Sequence, residues 1–268
     1  MWMILQSEWQ KLRRCQILLV GIVALALCPV VQYGSQLIVE PAYRAAAYSF
    51  ADLFANVTWG NTQLFLPISL VMIGGWLIDR ERSSDTWKNL LTVPVSLPRL
   101  LSAKLLVTAV LALLFGLYSV CVTLLAGALV GLPGLSAALV LRGGGQIVGA
   151  AMTTYVVCMP LILVFGRLRG AYLGGSILSF FLGYSMLFFK SGVLLSAYPF
   201  SAALLLVGFD MAQYNGATTP PDLLLSGVGL GSMVLLTVLL LAVSGRKPLD
   251  APQKKMAQRG RSRGRRRR

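Results

Sequence analysis

The residues of this chain that could bind a partner or do chemistry are concentrated between Asp79 and Lys104. This segment reads DRERSSDTWKNLLTVPVSLPRLLSAK, and on each side of it lies an uncharged run long enough to cross a bilayer. Because a charged side chain is costly at the centre of a bilayer, the segment must return to water. It is therefore where this chain would meet a soluble partner.

A short helix is predicted inside this segment. Trp87, Leu90 and Leu91 lie at positions i, i+3 and i+4, so they form an apolar stripe on one helical face. Pro94 and Pro98 are then predicted to end helical structure. A helix of this kind, lying along the membrane surface, could transmit force from a partner in the cytosol. The alternative is an ordinary interfacial loop.

Other chemistries find little support in the sequence. The chain contains no histidine, which removes the common zinc signatures and the usual proton shuttle. Its cysteines are far apart and mostly in apolar runs, so packing is favoured over a disulfide or metal site; they are Cys15, Cys28, Cys121 and Cys158. An enzyme within the membrane would need a nucleophile with its base, or a carboxylate pair, at membrane depth. We therefore expect no catalytic residue, no metal and no cofactor in this chain.

The composition indicates an integral membrane protein. Hydrophobic residues make up 56% of the chain and charged residues 12%, with a mean hydropathy of +0.74, whereas about a quarter of the residues in a soluble domain are charged. The charge-free runs predict an all-α polytopic protein of the bacterial inner or plasma membrane, with residues 17–245 as its transmembrane domain. We expect no cleavable signal peptide. The six predicted spans cover about residues 17–38, 61–78, 105–130, 143–166, 170–189 and 223–244.

A further apolar run at residues 191–209 leaves six or seven crossings open, and the basic residues decide between them. With six crossings and both termini in the cytoplasm, basic residues collect on the cytoplasmic side. Of the 24 Lys and Arg residues, those that face outward are then Arg44, Arg142 and Lys190. We therefore predict that residues 191–209 form an outer re-entrant segment between the fifth and sixth spans, broken at Tyr198-Pro199-Phe200.

The two ends of the chain differ in character from the spans. Trp2, Leu5, Trp9 and Leu12 share one helical face, so residues 1–16 are predicted to form an interfacial amphipathic helix; the alternative is a solvated basic leader. Residues 246–268 are basic and lack apolar periodicity, which predicts a disordered cytoplasmic tail. Topology and attraction to anionic lipid headgroups are the favoured roles of this tail. Sequence-specific binding of nucleic acid is disfavoured, because the tail has no aromatic residue to stack on bases.

Three pairs of glycines spaced four residues apart indicate close packing between helices, more within the chain than at a dimer face. They are Gly145 with Gly149, Gly170 with Gly174, and Gly227 with Gly231.

The segment between the second and third spans carries a resemblance to a known family. Asp79 and Glu81 follow the second span, the sequence Trp-Lys-Asn-Leu-Leu-Thr-Val-Pro-Val occupies residues 87–95, and Lys104 opens the third span. This arrangement resembles the permease subunits of type-two ABC exporters, in the branch that serves lantibiotic and bacitracin-type self-protection (immunity). The likeness in layout extends over about the first 245 residues, whereas the motif itself occupies residues 79–104.

The resemblance implies a division of labour between chains. A six-helix permease would pair with a second permease subunit, identical or different, and a cytoplasmic coupling helix would dock on a separate ATPase subunit that binds the ATP. The sequence itself has no G-x-x-x-x-G-K-[ST] phosphate loop. The implied span anchors are Asp79, Pro94 and Lys104. The implied coupling surface consists of Glu81, Arg82, Ser84, Asp85, Trp87, Lys88, Leu90 and Leu91.

The uncharged spans indicate the class of cargo. An ion-coupled carrier usually keeps an ionisable residue within a span, and none lies inside a predicted crossing. A pathway lined by uncharged, mostly apolar side chains would suit an amphipathic or hydrophobic compound, such as an antimicrobial peptide or a lipid-like molecule. The direction of transport, export, is implied by the resemblance. The alternatives are a membrane scaffold or regulatory protein without transport and, less favoured, a membrane-embedded enzyme.

Overall fold

A computed structural model of the chain describes residues 16–38, 48–83, 97–217, 220 and 222–244, and for residues 81–83 it gives the backbone alone. Every regular element in these ranges is a helix. The α-helices are α1 (Ile17–Ile38), α2 (Phe50–Gly60), α3 (Leu66–Ser83), α4 (Leu97–Val130), α5 (Ala137–Arg167), α6 (Tyr172–Tyr184), α7 (Gly192–Ala197), α8 (Pro199–Leu205), α9 (Ala212–Asn215) and α10 (Leu223–Ser244). A π-helical segment, Asn61–Phe65, joins α2 to α3, and a 3-10 turn, Ser185–Phe188, follows α6.

The helices confirm an all-α, multi-pass membrane protein. Five are long and apolar enough to cross a bilayer, namely Ile17–Ile38, Phe50–Arg80, Leu97–Val130, Ala137–Arg167 and Leu223–Ser244. A shorter apolar helix covers Tyr172–Phe188, where the fifth of six spans is predicted. The orientation of the bundle in the membrane stays a prediction. The predicted interfacial helix, except for Gln16, and the predicted basic tail lie outside the described residues.

Three helices begin earlier than the hydropathy of the sequence predicts. The second long helix begins at Phe50, because Ser49 and Asp52 form a reciprocal capping box there. Ser136 caps α5 by accepting a hydrogen bond from the backbone N–H of Leu139 at 3.2 Å. The third long helix begins at Leu97, so Pro98 lies in its first turn, whereas the predicted helix that Pro94 and Pro98 would end lies outside the described residues. Proline is tolerated in the first turn, where its missing N–H would have no intrahelical acceptor.

Two predicted breaks in the apolar runs are present. α4 ends at Val130, and the following turn uses positive φ angles of 74° at Gly131 and 87° at Gly134, a conformation that glycine adopts at little cost. The run at residues 191–209 is divided into α7 and α8 at Tyr198, whose ψ of 127° is extended, and Pro199 begins the second helix. We refer to α7 and α8 as the re-entrant pair, after the predicted topology, which stays a prediction.

The core is organised around α3, which packs chiefly against α5 and α6. Glycines bring these backbones together. A Cβ added at Gly166 in α5 would lie 3.0 Å from the carbonyl oxygen of Gly75 in α3, and one at Gly183 in α6 would lie 2.4 Å from that of Gln63. Both contacts are with backbone, which cannot move aside as a flexible side chain would.

The glycine pairs singled out by spacing play little part in this packing. A Cβ at Gly149 would approach Val207, but one at Gly145, Gly174, Gly227 or Gly231 would meet nothing within 4 Å. Close packing of α10 instead depends on Gly229, where a Cβ would lie 2.5 Å from the carbonyl oxygen of Ala197 in the re-entrant pair.

We predict that Gly229→Ala destabilises the protein by about 1–3 kcal/mol, because the added methyl group forces α10 away from the backbone of α7. Gly227→Ala and Gly231→Ala are matched controls on the same helix, since each places its methyl group in open space. Thermal unfolding of the purified protein in detergent measures the difference. Equal melting temperatures for all three variants would contradict the packing described here.

Candidate coupling site

Most of the predicted coupling surface lies outside the described residues. This applies to Ser84, Asp85, Trp87, Lys88, Leu90, Leu91 and Pro94, and to the side chains of Glu81 and Arg82. What the structure describes is the place where this segment is attached to the bundle, at the end of α3 and the start of α4. We call this region the charged end and define it by residues 76–80, 97–105 and 166–170.

Asp79 is buried in the penultimate turn of α3, with 8% of its surface exposed. Its Oδ1 atom accepts a hydrogen bond from the backbone N–H of Gly170 at 3.3 Å. Gly170 has a positive φ of 69° and lies in the turn between α5 and α6. Because a buried carboxylate is stable only when it is hydrogen-bonded, this contact ties α3 to that turn.

Lys104 lies two turns inside α4 and has 2% of its surface exposed. The sequence predicts that Lys104 opens this helix, but α4 already begins at Leu97. Its Nζ atom donates a hydrogen bond of 2.5 Å to the backbone carbonyl oxygen of Leu77 in α3. The ammonium group thus joins α4 to the same stretch of α3 that carries Asp79.

Neighbouring contacts extend this attachment to α5 and α10. The Tyr155 hydroxyl of α5 donates to the backbone carbonyl of Leu105 at 2.6 Å, one residue beyond Lys104. Arg167, at the end of α5, donates from Nη2 to the carbonyl oxygen of Leu240 in α10 at 3.3 Å. Four long helices are therefore linked by side-chain hydrogen bonds near one end of the bundle.

The basic residues of the described chain also favour this end. Arg80 lies over the ring of Trp76, with its guanidinium carbon 5.2 Å from the ring centroid, a cation–π contact. Arg99 and Arg169 are exposed. Cation–π contacts and exposed arginines suit a surface at the lipid headgroups, so the charged end has the composition of a cytoplasmic face.

The arrangement ties α3 and α4, the two helices that flank the segment at 84–96, to each other and to their neighbours. Among the described residues, no group of three or more Cys, Asp or Glu side chains is placed to hold a metal ion.

Comparison with known proteins gives the family of this chain. Residues 4–186, more than half of the 268-residue sequence, match the model of the ABC-2 family transporter proteins. This chain belongs to that family. The matched residues include the whole segment between Asp79 and Lys104, whereas the re-entrant pair and α10 lie beyond them.

The chain is also similar to a curated relative, the bacitracin transport permease protein BCRB of Bacillus licheniformis. The two are 30% identical over 127 residues, which is 45% of this chain and 61% of the relative. The family and this relative confirm the resemblance to ABC permeases of the bacitracin type that the sequence predicts. They also confirm the multi-pass location in a cell membrane.

We predict that Asp79→Leu destabilises the protein by about 0.5–1.5 kcal/mol, because α3 loses its hydrogen bond to the backbone N–H of Gly170. Asp79→Asn is the matched control, since an amide oxygen can still accept this hydrogen bond. Thermal unfolding in detergent compares the two variants. If Asp79→Asn were as destabilising as Asp79→Leu, charge and not the hydrogen bond to Gly170 would be responsible.

Proposed function

We propose that this chain is the transmembrane permease subunit of an ABC exporter, driven by a separate ATPase subunit and paired with a second permease subunit. The observation that carries the proposal is membership of the ABC-2 transporter family. The helices that flank the segment after α3 are joined to their neighbours by Asp79 and Lys104, which supports the segment's role as the point of coupling. A surface helix attached in this way would pass a push from the ATPase to two spans at once. In this proposal the charged end faces the cytoplasm.

Family membership supports the ATP-driven part of the proposal. The sequence has no phosphate loop, so ATP would be bound and hydrolysed by the partner, and this chain would be neither an enzyme nor the holder of a cofactor. Glu81, Trp87 and Leu91 would belong to the docking surface, with the other residues of the predicted coupling helix. The basic tail would lie against anionic lipid headgroups on the same side of the membrane.

The proposed cargo is an amphipathic or hydrophobic compound, either antimicrobial peptide-like or lipid-like. The transmembrane helices expose large apolar side chains along their length, including Leu113 in α4, Val164 in α5 and Leu235 in α10. The relative is a bacitracin transport permease by name, which is consistent with a peptide cargo. Such a molecule could reach the transporter from the bilayer itself.

We predict that Trp87→Ala and Glu81→Ala each weaken co-purification of this chain with its ATPase. The loss at Trp87 should be about ten-fold or more, which is typical when a buried aromatic anchor is removed from an interface. Lys190→Ala is the control, because Lys190 is exposed at the opposite end of the bundle. Full recovery of the ATPase with both coupling variants would contradict docking at this segment.

Transport itself is tested in cells that express the chain together with its ATPase. We expect raised resistance to a panel of membrane-active peptides that includes bacitracin, and its loss with Trp87→Ala at unchanged membrane abundance. Unchanged resistance across the panel would contradict the cargo class. Stable expression without any associated ATPase would instead favour a scaffold or regulatory role.

A further inference from the structure

A cavity of about 560 Å³ lies at the end of the bundle opposite the charged end. It opens to the surface and lies between the re-entrant pair, the segment at 206–217 and the start of α10. Its volume is in the range of sites that hold small molecules in proteins. The described residues that line it are Leu195, Leu205, Gly208, Phe209, Asp210, Met211, Ala212, Ala217, Pro220 and Leu223.

The inner wall of the cavity is apolar and well packed. Leu195, Leu205, Phe209 and Met211 are each at most 5% exposed, so they are held in place by the core behind them. Phe209 stacks against Trp59 of α2, with ring centroids 6.2 Å apart, and also contacts Tyr214 at 5.2 Å. These contacts give the wall a fixed shape, as is usual for a preformed binding site.

Hydrogen bonds hold the rest of the wall to the bundle. The side-chain amide of Gln146 in α5 donates to the carbonyl oxygen of Gly208 at 2.9 Å. The Tyr214 hydroxyl donates to Oδ1 of Asn56 in α2 at 2.7 Å. Burial raises the pKa of the Tyr214 phenol above its ordinary value, so this donor keeps its proton at physiological pH.

Asp210 is the one ionisable group among these lining residues. It is exposed, and its Oδ1 atom accepts a hydrogen bond from the backbone N–H of Ala212 at 2.9 Å, which fixes the carboxylate in an Asx turn. Within the described part of the chain, Asp210 makes no ion pair. The cavity therefore presents a fixed negative charge next to an apolar wall.

We propose that this cavity binds the apolar chain and attached cationic amine of an amphipathic molecule, with Asp210 as the partner of the amine. An uncharged lipid tail would gain from the apolar wall but not from the carboxylate, and an anionic lipid would be repelled by it. The proposal rests on the proposed export function, for which it names a substrate class: amphiphiles and peptides that carry a primary amine beside an apolar group.

The test uses the purified full chain in phosphatidylcholine nanodiscs and two photoreactive probes. One probe is dodecylamine with a diazirine at the end of its chain, and the other is the matching dodecanol. Labelled peptides are identified by mass spectrometry. Labelling on the lipid-facing surface of α10 near Leu235, which is 61% exposed, serves as the internal reference for how much of each probe enters the bilayer.

We expect the amine probe to label residues 195–223 about two- to five-fold more than the alcohol probe, relative to that reference. This range corresponds to an ion pair at an exposed site. Asp210→Asn should abolish the preference for the amine while leaving the fold intact, because the amide oxygen can still accept the hydrogen bond from Ala212.

Two neighbouring substitutions separate occupancy of the cavity from general changes in the surface. Ala212→Phe places a ring in the cavity from an exposed lining position, so it should reduce labelling by both probes. Gln213→Phe adds the same ring at the next exposed residue, which does not line the cavity, and should leave labelling unchanged.

Equal labelling by the two probes would overturn the proposal and identify a site for uncharged lipid chains. Labelling confined to α10, or a preference for the amine that survives Asp210→Asn, would overturn it as well. Because neither probe nor readout involves the ATPase, these outcomes leave the co-purification test independent. A failure here would remove the proposed substrate class without removing the proposed export function.

Discussion

The charged end is organised around a cation buried between helices, the ammonium group of Lys104. An ammonium group in a medium of low dielectric constant is stable only while acceptors surround it, and the carbonyl oxygen of Leu77 supplies one from the facing helix. α3 and α4 therefore cannot separate at this level without exposing the charge. Asp79, two residues further along α3, holds the turn after α5 by the same principle.

The sequence was sufficient for the helical class, the apolar runs and the breaks at Gly131 and Tyr198, because hydropathy, glycine and proline act locally. It was insufficient for the helix limits. The early start at Phe50 depends on the Ser49–Asp52 capping box, a local signal that the length of a charge-free run does not contain. The burial of Lys104 within α4 could not be predicted from the sequence, because the acceptor that permits it lies 27 residues away.

Within the spans, contacts between residues that are distant in the sequence determine features that residue spacing alone cannot predict. Asn61, in the π-helical segment, is 1% exposed and donates to the Ser119 hydroxyl of α4 at 2.8 Å. Nothing near Asn61 in the sequence indicates that partner. The glycines behave in the same way, since Gly166 and Gly229 matter through the backbone opposite them, whereas the regularly spaced Gly227 and Gly231 face open space.

α5 contacts both the charged end and the wall of the cavity beside the re-entrant pair, through hydrogen bonds and close backbone packing. Near the charged end Tyr155 is bonded to the backbone of α4, and Gly166 packs against the backbone of α3. Towards the cavity, Thr153 donates to the carbonyl of Ala203 at 3.0 Å and Gln146 to that of Gly208. Because these partners lie on several sides of one helix, α5 cannot rotate without breaking hydrogen bonds at both ends. A displacement of α4 must therefore either carry α5 and the cavity wall with it or break the bond at Tyr155.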